Sequence, residues 1–133
     1  MAVASPDYVE RHGKPEIPAD LLHHTCINWR QPGRSTCYKW EFFKNGQWSH
    51  VAVAGPLVVS QRDMAVAAAL QGVGIAFWSE ERLRPLIDEG KLVPLLDDWC
   101  GFFPGWFLYY PKQRRTPSAV RSFAEFLRDA NRA

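Results

Sequence analysis

Cysteine is scarce. Three residues, Cys26, Cys37 and Cys100, form an odd and widely spaced set, which suits a reducing compartment and argues against a disulfide framework. No CxxC pair occurs, so a zinc ribbon or a thioredoxin-type redox pair is not encoded. Long apolar runs are missing as well: none approaches the roughly 20 residues that a membrane-spanning helix needs. The opening MAVASP has neither the basic segment nor the apolar stretch of a signal peptide. A soluble, cytoplasmic protein with no membrane partner is the expectation. Charge of one sign is also lacking, with 16 Lys and Arg against 14 Asp and Glu, a net +2. That balance is too small to point to nucleic acid by itself. The basic residues near the end (Lys112, Arg114, Arg115, Arg121, Arg128) read as a solvated helix face. Enzyme signatures are absent: there is no GxSxG elbow, HExxH or P-loop, and Gly72-Val73-Gly74 follows a predicted helix where a dinucleotide fingerprint would open one.

What is present is globular and aromatic. Hydrophobic residues make up 47% of the chain, with six Trp, eight Phe and four Tyr, enough for one domain with a true core. Residues 57–96, LVVSQRDMAVAAALQGVGIAFWSEERLRPLIDEGKLVPLL, alternate apolar segment, polar corner, alanine-rich helix, apolar segment, charged helix and apolar segment. That order is the mark of an α/β unit with helices covering a sheet. Strands are predicted at 57–60, 73–78 and 92–96, and helices at 63–70 and 80–88, the second capped by Ser79. Upstream, Ser5 and Pro6 open a short helix that Gly13 ends, a helical piece covers 18–23, and 25–29 (TCINW) is a strand. Residues 38–43 and 48–53 form a hairpin around Asn45-Gly46. Downstream, 106–110 (WFLYY) is a strand. A final helix after Thr116-Pro117 carries Val120, Phe123, Phe126 and Leu127 on one face.

Few residues offer chemistry. Asp97 and Asp98 are adjacent, so on an extended segment they point apart, and a turn or cap role is favoured over acid–base or metal work. His23, His24 and Cys26 are close in sequence but lack the further ligands that a zinc site requires. Nothing near Cys26 orients a base for a thiol nucleophile, and His12 and His50 stand alone. No catalytic residue, metal or cofactor is assigned. The corner Ser60-Gln61-Arg62-Asp63 has a consistent binding logic: it joins a strand end to a helix N-terminus, where free N–H groups favour an anion. Plain N-capping by Ser60 or Asp63 is the structural alternative. Asn28, Trp29 and Arg30 end another strand and offer an amide, a ring face and a guanidinium fork, at the kind of crevice where open α/β sheets bind ligands.

Taken in order, SPDYVERHGKPEIPADLLHHTCINWR, YKWEF, AAALQGVGIAF, EGKLVPLLDDW and PGWFLYYPKQRRTPSAVRSFAEFLR resemble the effector-binding domain of LysR-type transcriptional regulators over nearly the whole chain. The resemblance implies a periplasmic-binding-protein-like (type II) α/β fold: a mixed sheet flanked by helices, plus a C-terminal helix from the other subdomain. It places subdomain II at about 5–107 and the return to subdomain I at 108–133. It also implies a piece of such a regulator, without the helix-turn-helix through which the family reaches DNA. Carried over residue by residue, it assigns effector contact to Asn28, Trp29, Arg30, Ser60, Gln61, Arg62 and Asp63, with Phe77 and Leu108 as wall or hinge positions. The function implied is sensing of a small, possibly anionic, effector, with no enzymatic step and with association into a homodimer. A stand-alone binding or oligomerisation module that pairs with a full-length regulator is the competing expectation.

Overall fold

The computed structural model describes residues 1–101, 109 and 117–130. It falls into two compact units, Met1–Gly101 and Phe102–Ala133. The first contains β1 (Ala2–Ala4), α1 (Pro6–His12), a 3₁₀ turn (Pro18–His23), β2 (Asn28–Trp29), β3 (Trp40–Lys44), β4 (Gln47–Val51), β5 (Val58–Val59), α2 (Arg62–Leu70), β6 (Ala76–Phe77), α3 (Glu80–Asp88) and β7 (Val93–Leu95). A second 3₁₀ turn, Asp97–Trp99, closes it. In the second unit α4 (Ser118–Ala130) forms where the apolar spacing predicts; Ala124 is buried while Phe123 and Phe126 are exposed. The predicted strand at 106–110 and the candidate Leu108 lie outside the described residues, apart from Tyr109.

Five strands make one mixed sheet in the order β5-β2-β6-β1-β7. β1 runs antiparallel to both β6 and β7. β2 runs parallel to β5, and a parallel bridge between Cys26 and Ile75 joins it to β6. The ladder bonds are continuous there: Ile27 N–H donates to Ile75 O at 2.8 Å and Ile75 N–H to Thr25 O at 2.9 Å. Side chains alternate across this sheet as the pleat requires. Ala2, Ala4, Cys26 and Ile75 face a core with Tyr8, Leu21, Trp40 and Phe42. Val3, Ile27 and Ala76 face a second core with Ala65 and Ala69 of α2 and Leu83 of α3. Small residues on α2 let that helix lie close to the sheet, which explains its alanine content. Among the described residues the β3–β4 hairpin forms a ladder only with itself, and it turns at Asn45 (φ 52°) and Gly46 (φ 78°), the left-handed pair of a type I′ turn.

Several predicted strands are shorter in the structure. The segment 73–78 pairs only from Ile75, because Val73 N–H is taken by Ala68 O at the end of α2. Likewise Leu92 N–H is held by Leu86 O at the end of α3. Helix ends thus consume residues whose composition reads as strand. Ser5 caps α1 as predicted, its Oγ accepting from Tyr8 N–H at 3.1 Å. Ser79 sits at the N-cap of α3 but makes no side-chain cap bond. No helix among the described residues is long and apolar enough to cross a membrane.

One joint in this fold is expected to make stability depend on pH. The buried Tyr8 hydroxyl accepts from Thr25 N–H at 3.0 Å and lies 3.2 Å from Nδ1 of half-buried His24 and 3.4 Å from Thr25 O. Burial, with help from His12, holds the His24 pKa below its usual 6.5. The unfolded chain therefore takes up a proton first as pH falls. The stability is whole above pH 6.5 and is lost as pH drops from there towards the lower folded value. The melting temperature is expected to fall between neutral and mildly acidic buffer, and His24→Gln to flatten that fall. An unchanged pH slope in the variant would place the sensitivity elsewhere.

Candidate functional site

Because β5, β2 and β6 are parallel, their carboxyl ends share one edge of the sheet, the edge at which open α/β sheets hold ligands. The residues that leave those ends are Trp29 and Arg30 after β2, Ser60 to Asp63 after β5, and Trp78 after β6. Trp29 indole N–H donates to Ser60 O at 3.1 Å, which ties two strand ends together. Arg30 N–H donates to Val59 O at 2.9 Å and leaves its side chain exposed.

The centre of this edge is Arg62, the first residue of α2. Its guanidinium carbon lies 3.7 Å from the Trp29 ring centroid, 5.0 Å from that of Tyr38 and 5.9 Å from that of Trp78. Three ring faces around a cation hold it by cation–π attraction, each good contact worth about 0.5–2 kcal/mol. Stacking also fixes the guanidinium plane, and Tyr38 hydrogen-bonds part of its edge. Among the described residues no carboxylate lies within ion-pair distance of Arg62. Burial pulls its pKa down, and Tyr38 and Glu41 act against that; the group remains a cation at neutral pH. Tyr38 is braced in turn. Its ring meets Trp29 edge-on at 5.5 Å, its N–H donates to Trp29 O at 2.8 Å, and its hydroxyl donates to Glu41 Oε2 at 2.6 Å. Burial and that bond push the Tyr38 pKa up to about 12, so the hydroxyl keeps its proton. Glu41 faces His50 across the hairpin, with Oε1 at 3.5 Å from Nε2.

Asn28 is 6% exposed, and its Oδ1 is buried with no hydrogen-bond partner among the described residues. A buried amide oxygen left unpaired is costly, by about 1–3 kcal/mol.

Of the sequence candidates, the structure brings Trp29, Ser60 and Arg62 into contact. Gln61 and Asp63 flank them, exposed, on the N-terminal turn of α2. Capping by Ser60 or Asp63 is not observed: Gln61 holds the N-cap position and makes no side-chain bond, since α2 begins one residue before the predicted start. Phe77 points elsewhere. It stacks on Trp40 at 5.1 Å and meets Phe42 edge-on at 5.5 Å, so it anchors the hairpin on the opposite face of the sheet from the Arg62 box. Tyr38 and Trp78 are not among the residues that the sequence singles out. Trp78 was within reach, since it ends a predicted strand just as Trp29 does. Tyr38 was not, because only the loop between β2 and β3 carries it to Trp29.

The residues weighed for catalysis do not assemble. Burial pushes the Cys26 thiol up to about 12, which keeps it protonated and unfit as a nucleophile. Asp97 and Asp98 lie exposed in a 3₁₀ turn, with Asp98 3.5 Å from Lys44. Among the described residues no three His, Cys, Asp or Glu side chains converge as metal ligands.

The family model of the LysR substrate binding domain matches residues 1–132. The chain belongs to the LysR substrate-binding domain family. A putative transcriptional regulator of Pseudomonas aeruginosa is 40% identical over 126 residues, which cover 95% of this chain and 41% of that protein. The chain therefore spans about two fifths of that relative's length. A putative LysR family substrate binding domain-containing protein of Escherichia coli K12, YagP, is 35% identical over 106 residues, covering 80% of this chain and 78% of that one. Among solved structures, the regulatory domain of AphB in Vibrio vulnificus superposes with a TM-score of 0.71 over 98% of this chain and 64% of that chain. At 24% identity that likeness is one of fold: the periplasmic-binding-protein-like architecture that the mixed sheet and its two helical layers already display.

Proposed function

We propose that this LysR-type domain is the effector-sensing part of a transcription regulator and that it binds a small anion at the carboxyl edge of β2, β5 and β6. The observation that carries this reading is Arg62: a half-buried cation, fixed by three aromatic rings and lacking a carboxylate among the described residues. A carboxylate of the effector would fork onto the N–H donors of its outer edge, beside the one that faces Tyr38. Trp29, Tyr38 and Trp78 position the cation, Ser60 O holds Trp29 in place, and Arg30, Gln61 and Asp63 form the rim. Phe77 supports the site only through the hairpin. The domain performs no chemistry. DNA contact belongs to a helix-turn-helix module, and the domain acts in a homodimer in the cytoplasm. Residues to about 107 form subdomain II, and 108–133 form the return to subdomain I.

Calorimetric titration with a panel of small carboxylates tests the reading. Binding should be seen in the parent chain and weaken by about 10–100-fold in Arg62→Met, the loss of one charge-assisted bidentate contact. Circular dichroism should show the variant folded. Equal affinity in the folded variant would rule out Arg62 as the anion site.

A further inference from the structure

We infer that Glu41 is a positioning residue of the anion site: through the Tyr38 hydroxyl it fixes which edge of the Arg62 guanidinium is left for the effector. The inference rests on the anion reading of Arg62.

A phenol hydroxyl has one proton to give and lone pairs with which to accept. In Tyr38 the proton is committed. It goes to Glu41 Oε2 at 2.6 Å, the length of a strong bond to a charged acceptor. Burial, with help from that bond, holds the Tyr38 pKa up at about 12, so the proton stays. Arg62 is the reverse case, a group that only donates. Towards it the Tyr38 oxygen therefore accepts, and it takes part of the guanidinium edge. The bonds run one way, from Arg62 to Tyr38 to Glu41. Reversal would need an arginine that accepts or a carboxylate that donates, and neither exists at neutral pH.

Glu41 is itself held in place. Its other oxygen, Oε1, lies 3.5 Å from His50 Nε2 across the hairpin. On β3 it stands between Trp40 and Phe42, both buried in the core, so the alternation of the strand turns it to the other side. Two aromatic anchors thus set the carboxylate, and the carboxylate sets the phenol. Among the described residues no ion pair joins Glu41 to Arg62. Its hold on the cation passes through Tyr38.

Removing Glu41 has two effects of opposite sign. Without the acceptor the phenol is free to turn and the guanidinium loosens, which weakens anion binding. Without the negative charge an anion is favoured. Glu41→Gln separates the two, because an amide oxygen still accepts from the hydroxyl while the charge is gone.

The test is calorimetry on the 133-residue chain with acetate, propionate, lactate and succinate. Glu41→Ala should weaken binding by about tenfold, the weight of a lost hydrogen bond to a charged group. Glu41→Gln should bind at least as tightly as the parent. Tyr38→Phe, which has no hydroxyl to direct, should lose affinity by a similar factor, and adding Glu41→Ala to it should cost nothing more. Should Glu41→Ala fail to fold by circular dichroism, Glu41→Met takes its place in every arm. Three results overturn the role of Glu41 and leave the anion reading standing, provided that Arg62→Met still weakens binding. They are full affinity in Glu41→Ala or Tyr38→Phe, an equal further loss in the double variant, and a loss in Glu41→Gln as large as in Glu41→Ala. If none of the acids binds the parent, or Arg62→Met binds them unchanged, the anion reading falls and takes this inference with it.

Discussion

Gly55→Ala is expected to destabilise the domain by more than about 3 kcal/mol, at the severe end of what a single methyl group does. A Cβ at Gly55 would lie 1.8 Å from the carbonyl oxygen of Cys26, 2.9 Å from its carbonyl carbon and 3.0 Å from its nitrogen. These are backbone atoms, so no side chain can rotate out of the way. Nor can the Cys26 segment retreat. Its N–H donates to Ala54 O at 3.0 Å on this side, and on the other side Ile75 bonds Thr25 O. A Cβ at Gly74 would likewise come within 2.6 Å of Thr25 O. The start of the β2 segment is thus held between two chains that approach closer than any side chain permits. Urea denaturation should show a large drop in midpoint or an unfolded chain, and an unchanged midpoint would refute this packing.

Trp40→Ala should cost about 3–5 kcal/mol, the usual range for emptying a large aromatic site. Against a total stability of about 5–15 kcal/mol that loss leaves little. Trp40 is 1% exposed and stacks on Phe77 with an interplanar angle of 21°. It therefore fastens the β3–β4 hairpin, whose strands among the described residues form a ladder only with each other, onto β6. The effect should reach the site as well. Tyr38 sits two residues before Trp40 and braces Arg62, so folded Trp40→Ala protein should bind carboxylates more weakly than the parent. Full affinity with reduced stability would mean that Tyr38 is positioned by Trp29 alone.

Local signals made much of the fold legible. The Ser5-Pro6 cap, the Asn45-Gly46 turn, the alanine-rich α2 and the charged α3 each follow from short-range chemistry, and each is present. The corner 60–63 was legible for the same reason, as a strand end followed by a helix start. What escaped depends on contacts distant in sequence. Tyr38 reaches Trp29 only through the path of a loop. Phe77 faces the hairpin because of a register that nothing within 73–78 specifies. The orphaned oxygen of Asn28 is visible only once β5 and β6 have closed on either side of its strand.

β1 carries a consequence for the birth of the molecule. It lies inside the sheet, buried on both faces, with Val3 opposite Ala76 on one side and Pro94 on the other. A ribosome therefore makes this strand long before either neighbour exists. Until both arrive, Ala2–Ala4 presents two open edges to other nascent chains. Completion of the sheet waits on contacts between remote parts of the polypeptide, which slows folding.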